Sequence, residues 1–79
     1  MITSEQVRAA RALLRWEQKD LAATSKVSLP SIKRLESQPG PLAAQERTIE
    51  AIQTAFVSAG VIFLDKGISA EGGAGVRLK

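Results

Sequence analysis

The chain has 79 residues, of which 44% are hydrophobic and 24% charged, and it carries a formal net charge of +3. A chain of this length forms at most one small domain with a limited core, so oligomerisation is the expected source of further stability. It contains neither cysteine nor histidine, which excludes disulfides, thiolate zinc sites, histidine-ligated metals, thiol nucleophiles and Ser-His-Asp chemistry.

Two helices are predicted at the start of the chain from capping residues and apolar spacing. Thr3 and Gln6 have the three-residue separation of a capping box, and apolar residues recur at helical spacing from Val7 onward. We predict a first helix that ends at about Arg15. A short second helix is predicted over residues 17–24.

Two further helices are predicted on either side of a proline-rich break. Ser28 is a suitable cap for a third helix. Residues 37–41 contain two prolines and a glycine, which end that helix. A longer fourth helix is predicted from about Leu42 or Gln45 to Ala59.

After Gly60 the pattern changes from helical to strand-like. Residues 61–64 form a short apolar run, and residues 76–78 can pair back onto it across a glycine-rich loop. We therefore divide the chain into a helical region, residues 1–60, and a C-terminal β-hairpin, residues 61–79.

No segment has the pattern of a signal peptide or a membrane span. Arg8, Arg11 and Arg15 interrupt the first fifteen residues, so no apolar signal core can form there. The longest strongly apolar run, residues 61–64, is far shorter than the ~20 residues that a spanning helix needs. We expect a soluble cytoplasmic protein, and the absence of cysteine fits a reducing compartment.

The positive charge is confined to the first half of the sequence. Residues 1–38 contain seven Lys or Arg and four Asp or Glu, whereas residues 39–79 contain four of each kind. Within residues 19–34, four basic residues accompany a single acidic residue. This local excess is typical of a polyanion-binding surface, and a merely solvated basic surface is the alternative interpretation.

Residues 18–36 are the most informative stretch, because two short helices joined by three or four residues fit a helix-turn-helix unit. The residues that define it are Gln18, Leu21-Ala22, Ser25-Lys26-Val27-Ser28, Ile32 and Leu35-Glu36. In this order they resemble the Cro/CI-type (XRE family) helix-turn-helix regulators, and the resemblance covers about residues 5–58. It implies a mainly α, lambda-repressor-like bundle of about four helices, followed here by the C-terminal β-hairpin.

Lys26 and an Arg–Glu pair relate the chain further to that family. Lys26 stands in the turn where these regulators usually have glycine. If its backbone is left-handed, a residue other than glycine costs about 1 kcal/mol there. Arg11 and Glu36 stand where related repressors pair a helix 1 arginine with a glutamate closing helix 3, so the resemblance implies a structural ion pair.

The resemblance also implies that the third helix, about residues 28–37, enters the DNA major groove. The side chains predicted at base edges are Leu29, Pro30, Ser31, Lys33 and Arg34. The two cations can donate to guanine O6 and N7, and Leu29 can contact a thymine methyl group. The residues predicted at phosphates are Gln18, Lys19, Lys26 and Ser28.

One such helix offers too little surface for tight and specific binding, so we predict a homodimer on a palindromic operator. The open edges of the hairpin make it the predicted dimer contact. The residues predicted there are Val61, Ile62, Phe63, Leu64, Val76 and Leu78. A hairpin that only covers its own monomer is the alternative.

The predicted function is sequence-specific DNA binding by a transcriptional regulator, as a repressor or autoregulator of a bacterial, phage or mobile-element operon. The alternative is a helix-turn-helix module whose main partner is another protein, such as an antiactivator or an antitoxin. Enzymatic activity is not expected, since acids such as Glu46 and Glu50 show no pairing suited to acid–base chemistry. We predict no catalytic residue, metal, cofactor, membrane contact or small-molecule ligand.

Overall fold

The computed structural model describes residues 2–64 and 73–79. Its elements in chain order are α1 (Ser4–Leu14), α2 (Gln18–Ser25), α3 (Leu29–Glu36), α4 (Glu46–Ser58), β1 (Val61–Leu64) and β2 (Gly75–Leu78). The predicted fold class, a mainly α bundle of four helices with a C-terminal β-hairpin, is confirmed. Most of the predicted glycine-rich loop, residues 65–72, lies outside the described residues.

The capping box predicted at the start of α1 is present. The Thr3 hydroxyl oxygen accepts from the Gln6 N–H at 3.1 Å, and the Gln6 side-chain oxygen accepts from the Thr3 N–H at 2.9 Å. Two N–H groups that the helix itself leaves without partners are therefore satisfied by side chains. The helix ends in a left-handed residue, Arg15, with φ 57°.

Glu5 joins the first turn of α1 to the chain that follows α3. Its carboxylate accepts from the Gly40 N–H at 3.1 Å, and Gly40 itself has φ 88°, which favours glycine. Hydrogen bonds from its own backbone N–H and from that of Gly40 hold the pKa of Glu5 below its ordinary value. The ionised Glu5 carboxylate thereby stabilises the folded protein. This contribution is fully present above the ordinary carboxyl pKa and is lost as the pH falls through the lowered pKa.

The earlier of the two predicted starts for α4, at Leu42, is wrong. The Leu42 N–H donates to the Ile2 carbonyl at 3.2 Å, and an isolated bridge joins Thr3 to Pro41. This long-range pairing holds Leu42 in extended chain and buries its side chain in the core. The later start is confirmed, because Gln45 precedes the first residue of α4.

The core receives side chains from every helix and from β1. Its buried apolar residues are Ile2, Val7, Ala10, Leu21, Ile32, Leu35, Leu42, Ile52, Ala55, Phe56 and Val61. Phe56 of α4 is fully buried and contacts two other rings: it stacks on Trp16 at a centroid distance of 5.6 Å and meets Phe63 edge-on at 5.9 Å. It therefore joins α4 both to the link between α1 and α2 and to the hairpin.

The hairpin packs on its own helices, with β2 against α1 and β1 against α4. The Gln6 side-chain amide donates to the carbonyl oxygens of Leu64, at 3.2 Å, and Gly75, at 3.0 Å. Leu64 and Gly75 are the last pair before the loop, so one side chain of α1 bonds to both strands there. The alternative interpretation, a hairpin that covers its own monomer, thus describes one face of this hairpin.

The predicted place of Val61 in the dimer contact is not supported by its burial. Its exposure is only 1%, because it packs within the core of its own protomer, so its side chain has no surface for a partner. Phe63 and Val76 pack partly against the same core. Leu78, by contrast, is 45% exposed.

None of the described helices combines the length and the apolar character that crossing a membrane would require.

Candidate nucleic-acid interface

The turn between α2 and α3 begins at a left-handed residue. Lys26 has φ 66° and ψ 15°, and its N–H donates to the Ala22 carbonyl at 3.0 Å. The Ser25 hydroxyl accepts from the Val27 N–H at 3.2 Å, which closes the turn. The backbone of Lys26 is therefore left-handed, and a lysine occupies a conformation that favours glycine.

We expect Lys26→Gly to raise the free energy of unfolding by about 0.5–1 kcal/mol, because it removes the side chain from a left-handed position. Urea unfolding followed by circular dichroism measures this change. Arg15→Gly is the matched control. It makes the same kind of substitution at the left-handed residue that ends α1, outside the turn between α2 and α3. If Lys26→Gly is destabilising, the Lys26 side chain makes stabilising contacts that exceed its backbone strain.

The start of α3 is ordered by two serines. The Ser28 hydroxyl oxygen accepts from the Ser31 N–H at 3.3 Å and donates to the Ser31 hydroxyl at 2.8 Å. Pro30 lies in the first turn, where its missing N–H breaks no helical bond. The predicted cap is confirmed, and both serine hydroxyls are engaged with each other at the helix start.

Three of the five predicted base-contact residues fall on the outward side of α3. Pro30, Lys33 and Arg34 are exposed, and their spacing of three and four residues places them on one helical face. Leu29 and Ser31 flank this face and are half-buried. The residues that point into the protein are Ile32, Leu35 and Glu36. We call Pro30, Lys33 and Arg34 the outer face of α3.

One basic residue of α2 lies close to the outer face of α3. Lys19 and Lys33 border the same shallow depression, of about 270 Å³, which Glu17, Gln18 and Leu29 also line. Lys26 is exposed at the opposite end of α2, beside the start of α3. The structure therefore brings Lys19 and Lys33 together and places Lys26 apart from them.

The predicted ion pair between Arg11 and Glu36 is present and bidentate. The Arg11 Nε and Nη2 atoms donate to the two Glu36 carboxylate oxygens at 2.8 and 2.7 Å. The Glu36 side chain is only 4% exposed, and that of Arg11 is 20% exposed. The remaining guanidinium group, Nη1, donates to the Trp16 carbonyl at 3.1 Å. The pair fixes α1 against the C-terminal end of α3.

Two further side chains reach Glu36, and sequence reasoning missed both contacts. The Arg8 Nη1 atom donates to the Glu36 backbone carbonyl at 2.7 Å, which places a cation at the negative end of α3. The Gln18 side-chain nitrogen donates to the Glu36 carboxylate at 3.2 Å, whereas the sequence predicted Gln18 at a phosphate. We call Arg8, Arg11, Gln18 and Glu36 the Glu36 network. The signal available for Arg8 was its three-residue spacing from Arg11, which puts both on one face of α1.

Neither known protein-family models nor the sequences of curated proteins match this chain. The resemblance of residues 18–36 to Cro/CI-type regulators therefore stays a prediction. Within the part of the chain that the structure describes, no three acidic side chains are grouped to hold a metal ion.

Proposed function

We propose that the protein is a sequence-specific DNA-binding transcriptional regulator that binds a palindromic operator as a homodimer. The observation that carries this proposal is the two-sided character of α3. Its outer face presents Lys33 and Arg34 to solvent, while its inner face is held by the core and by the Glu36 network. A helix fixed on one side and cationic on the other is suited to the major groove, which admits one α-helix.

The charge of α2, the turn and α3 supports the same proposal. Among the described residues, the ion pairs join Arg8 to Glu5 and Arg11 to Glu36. The exposed cations of α2, the turn and α3 make no ion pair there; they are Lys19, Lys26, Lys33 and Arg34. Unpaired cations attract phosphates and release counterions on binding, which produces affinity that depends on salt.

The residue types on α3 suggest which bases are read. Arg34 and Lys33 can donate to the O6 and N7 acceptors of guanine, and Leu29 or Pro30 can contact a thymine methyl group. In this proposal Lys19 and Lys26 contact phosphates and so set the position of α3. Each half-site is therefore expected to contain guanine beside thymine.

The proposal is tested by selecting duplexes from a random pool and measuring binding by fluorescence anisotropy. The selected duplex and a scrambled duplex of equal composition are compared at about 50 and 200 mM salt. A preference for the selected duplex that survives the higher salt supports a sequence-reading regulator. Equal binding to both duplexes, abolished by salt, would contradict it and leave only a basic surface. In that case the alternative, a protein partner for the same fold, becomes the next hypothesis to test.

We expect Arg34→Ala to weaken binding to the selected duplex by about 1–3 kcal/mol and to relax the preference at one base position. Arg47→Ala is the matched control, because Arg47 is an exposed arginine of α4 rather than of α3. Anisotropy with single-base variants of the duplex measures the preference. An equal loss of affinity on every sequence would mark Arg34 as a phosphate contact and contradict its role in base reading.

A further inference from the structure

The strand β2 has an edge whose backbone groups point away from β1. The Lys79 N–H donates to the Gly60 carbonyl at 2.9 Å, one position beyond the pair of Val61 and Leu78. Hydrogen-bonded and non-bonded pairs alternate along an antiparallel ladder, so the pair at Leu78 is non-bonded. It follows that the N–H and C=O groups of Val76 and Leu78 point outward.

The two edges of the hairpin differ in how far they are covered. On β1, Val61 is buried, whereas on β2 both Arg77 and Leu78 are exposed. None of the hydrogen bonds between described residues uses the outward backbone groups of Val76 or Leu78. An open edge of this kind is a template for a further strand.

We propose that β2 pairs with β2 of a second copy of the chain, antiparallel across a two-fold axis. Such an edge is complementary to itself, because under two-fold symmetry each outward N–H meets an outward C=O. The two hairpins then form one four-stranded sheet, which is more stable than two isolated hairpins. The inference deepens the proposed function, since a palindromic operator requires two copies of α3.

The side chains of β2 select one register for this pairing. In two symmetric registers, three of the four β2 residues lie opposite β2 residues of the second copy. The residue at the two-fold axis is Val76 in the first register and Arg77 in the second. The second places the two Arg77 side chains directly opposite each other, and like charges in that position are destabilising. The first places Arg77 opposite Gly75 of the second copy, which has no side chain to oppose it. We therefore assign the register centred on Val76.

An exposed apolar side chain lies on the edge that this pairing would cover. Leu78 is 45% exposed and belongs to that edge. In the assigned register Leu78 lies opposite Ala74 of the second copy, so pairing removes apolar surface from water as well as satisfying backbone groups.

Cysteine cross-linking tests the register. The chain has no cysteine of its own, so any disulfide that forms joins introduced cysteines. In the double variant Gly75→Cys/Arg77→Cys, the two thiols face each other across a non-bonded pair at a Cα separation of about 4.5 Å, within disulfide range. A Cβ at Gly75 meets no atom within 4 Å. We expect most of the double variant, and little of either single variant, to migrate as a covalent dimer after mild oxidation. Efficient cross-linking of Arg77→Cys alone, or none in the double variant, would overturn the proposal.

A proline variant tests the backbone pairing. Leu78→Pro removes an outward N–H without removing a hydrogen bond to β1, and proline is tolerated on such edges. We expect its dimer dissociation constant, measured by analytical ultracentrifugation, to rise at least about tenfold, with an unchanged circular dichroism spectrum. Leu78→Ala is the control that shortens the side chain and keeps the N–H. A monomeric wild-type protein, or equal dimerisation by Leu78→Pro and Leu78→Ala, would overturn the proposal.

Both assays are run without DNA, so their outcome is separate from that of the proposed function. If the double variant cross-links but the protein has no sequence preference, the strand pairing stands and the regulator hypothesis fails. If sequence preference is found without cross-linking, the regulator hypothesis stands and this interface is overturned.

Discussion

Glu36→Ala is expected to lower the free energy of unfolding by about 3–5 kcal/mol, because it leaves Arg11 without its partner and removes a buried hydrogen-bonded carboxylate. The value should fall near the lower limit, since Arg11 is partly exposed. Urea unfolding followed by circular dichroism measures the loss. Glu50→Ala is the matched control, because Glu50 is exposed on α4; it should change stability by less than about 0.5 kcal/mol.

An apolar replacement of both charges separates the stability of the Glu36 network from its effect on α3. Arg11→Met/Glu36→Leu leaves no buried charge unpaired and should be more stable than Glu36→Ala. If the network serves to orient α3, this double variant should bind the selected duplex less selectively while it remains folded. A Glu36→Ala protein as stable as the wild type would contradict the assigned structural role of the pair.

Phe56→Ala is expected to destabilise the protein by about 3–5 kcal/mol, the range for truncation of a large buried side chain. The cost is high because the ring contacts both Trp16 and Phe63 and is fully buried. Trp16 is the single tryptophan, so its fluorescence reports the loss of stacking directly.

Phe63→Ala is the control for this prediction. Phe63 is only half-buried, so its truncation should cost less than that of Phe56. Equal losses of free energy in the two variants would contradict the prediction that the complete burial of Phe56 makes its truncation the more costly one.

Local signals in the sequence were sufficient to predict the helices and the hairpin. The capping box of Thr3 and Gln6, and the cap at Ser28, act within one helical turn, so the sequence alone identifies them. The prolines after Glu36 end α3 for an equally local reason, since a proline cannot continue a helix. The exposed positions of α3 follow from the same periodicity once its apolar face is known.

Features that depend on distant residues were predicted less well. Leu42 looks like a helix start, but pairing with Ile2 holds it in extended chain. The contacts of Arg8 and Gln18 with Glu36 join residues 28 and 18 positions apart, which no local pattern specifies. The Arg11–Glu36 pair was predicted only because a family resemblance supplied it.

The double donation by Gln6 has a consequence for how the protein opens. The same side chain completes the cap of α1 and bonds to both strands where the loop begins. Fraying of the first turn of α1 therefore removes bonds from the end of the hairpin, and separation of the strands removes a bond from the helix start. Regions about sixty residues apart in sequence are thereby coupled into one cooperative unit of local unfolding, with linked hydrogen-exchange protection.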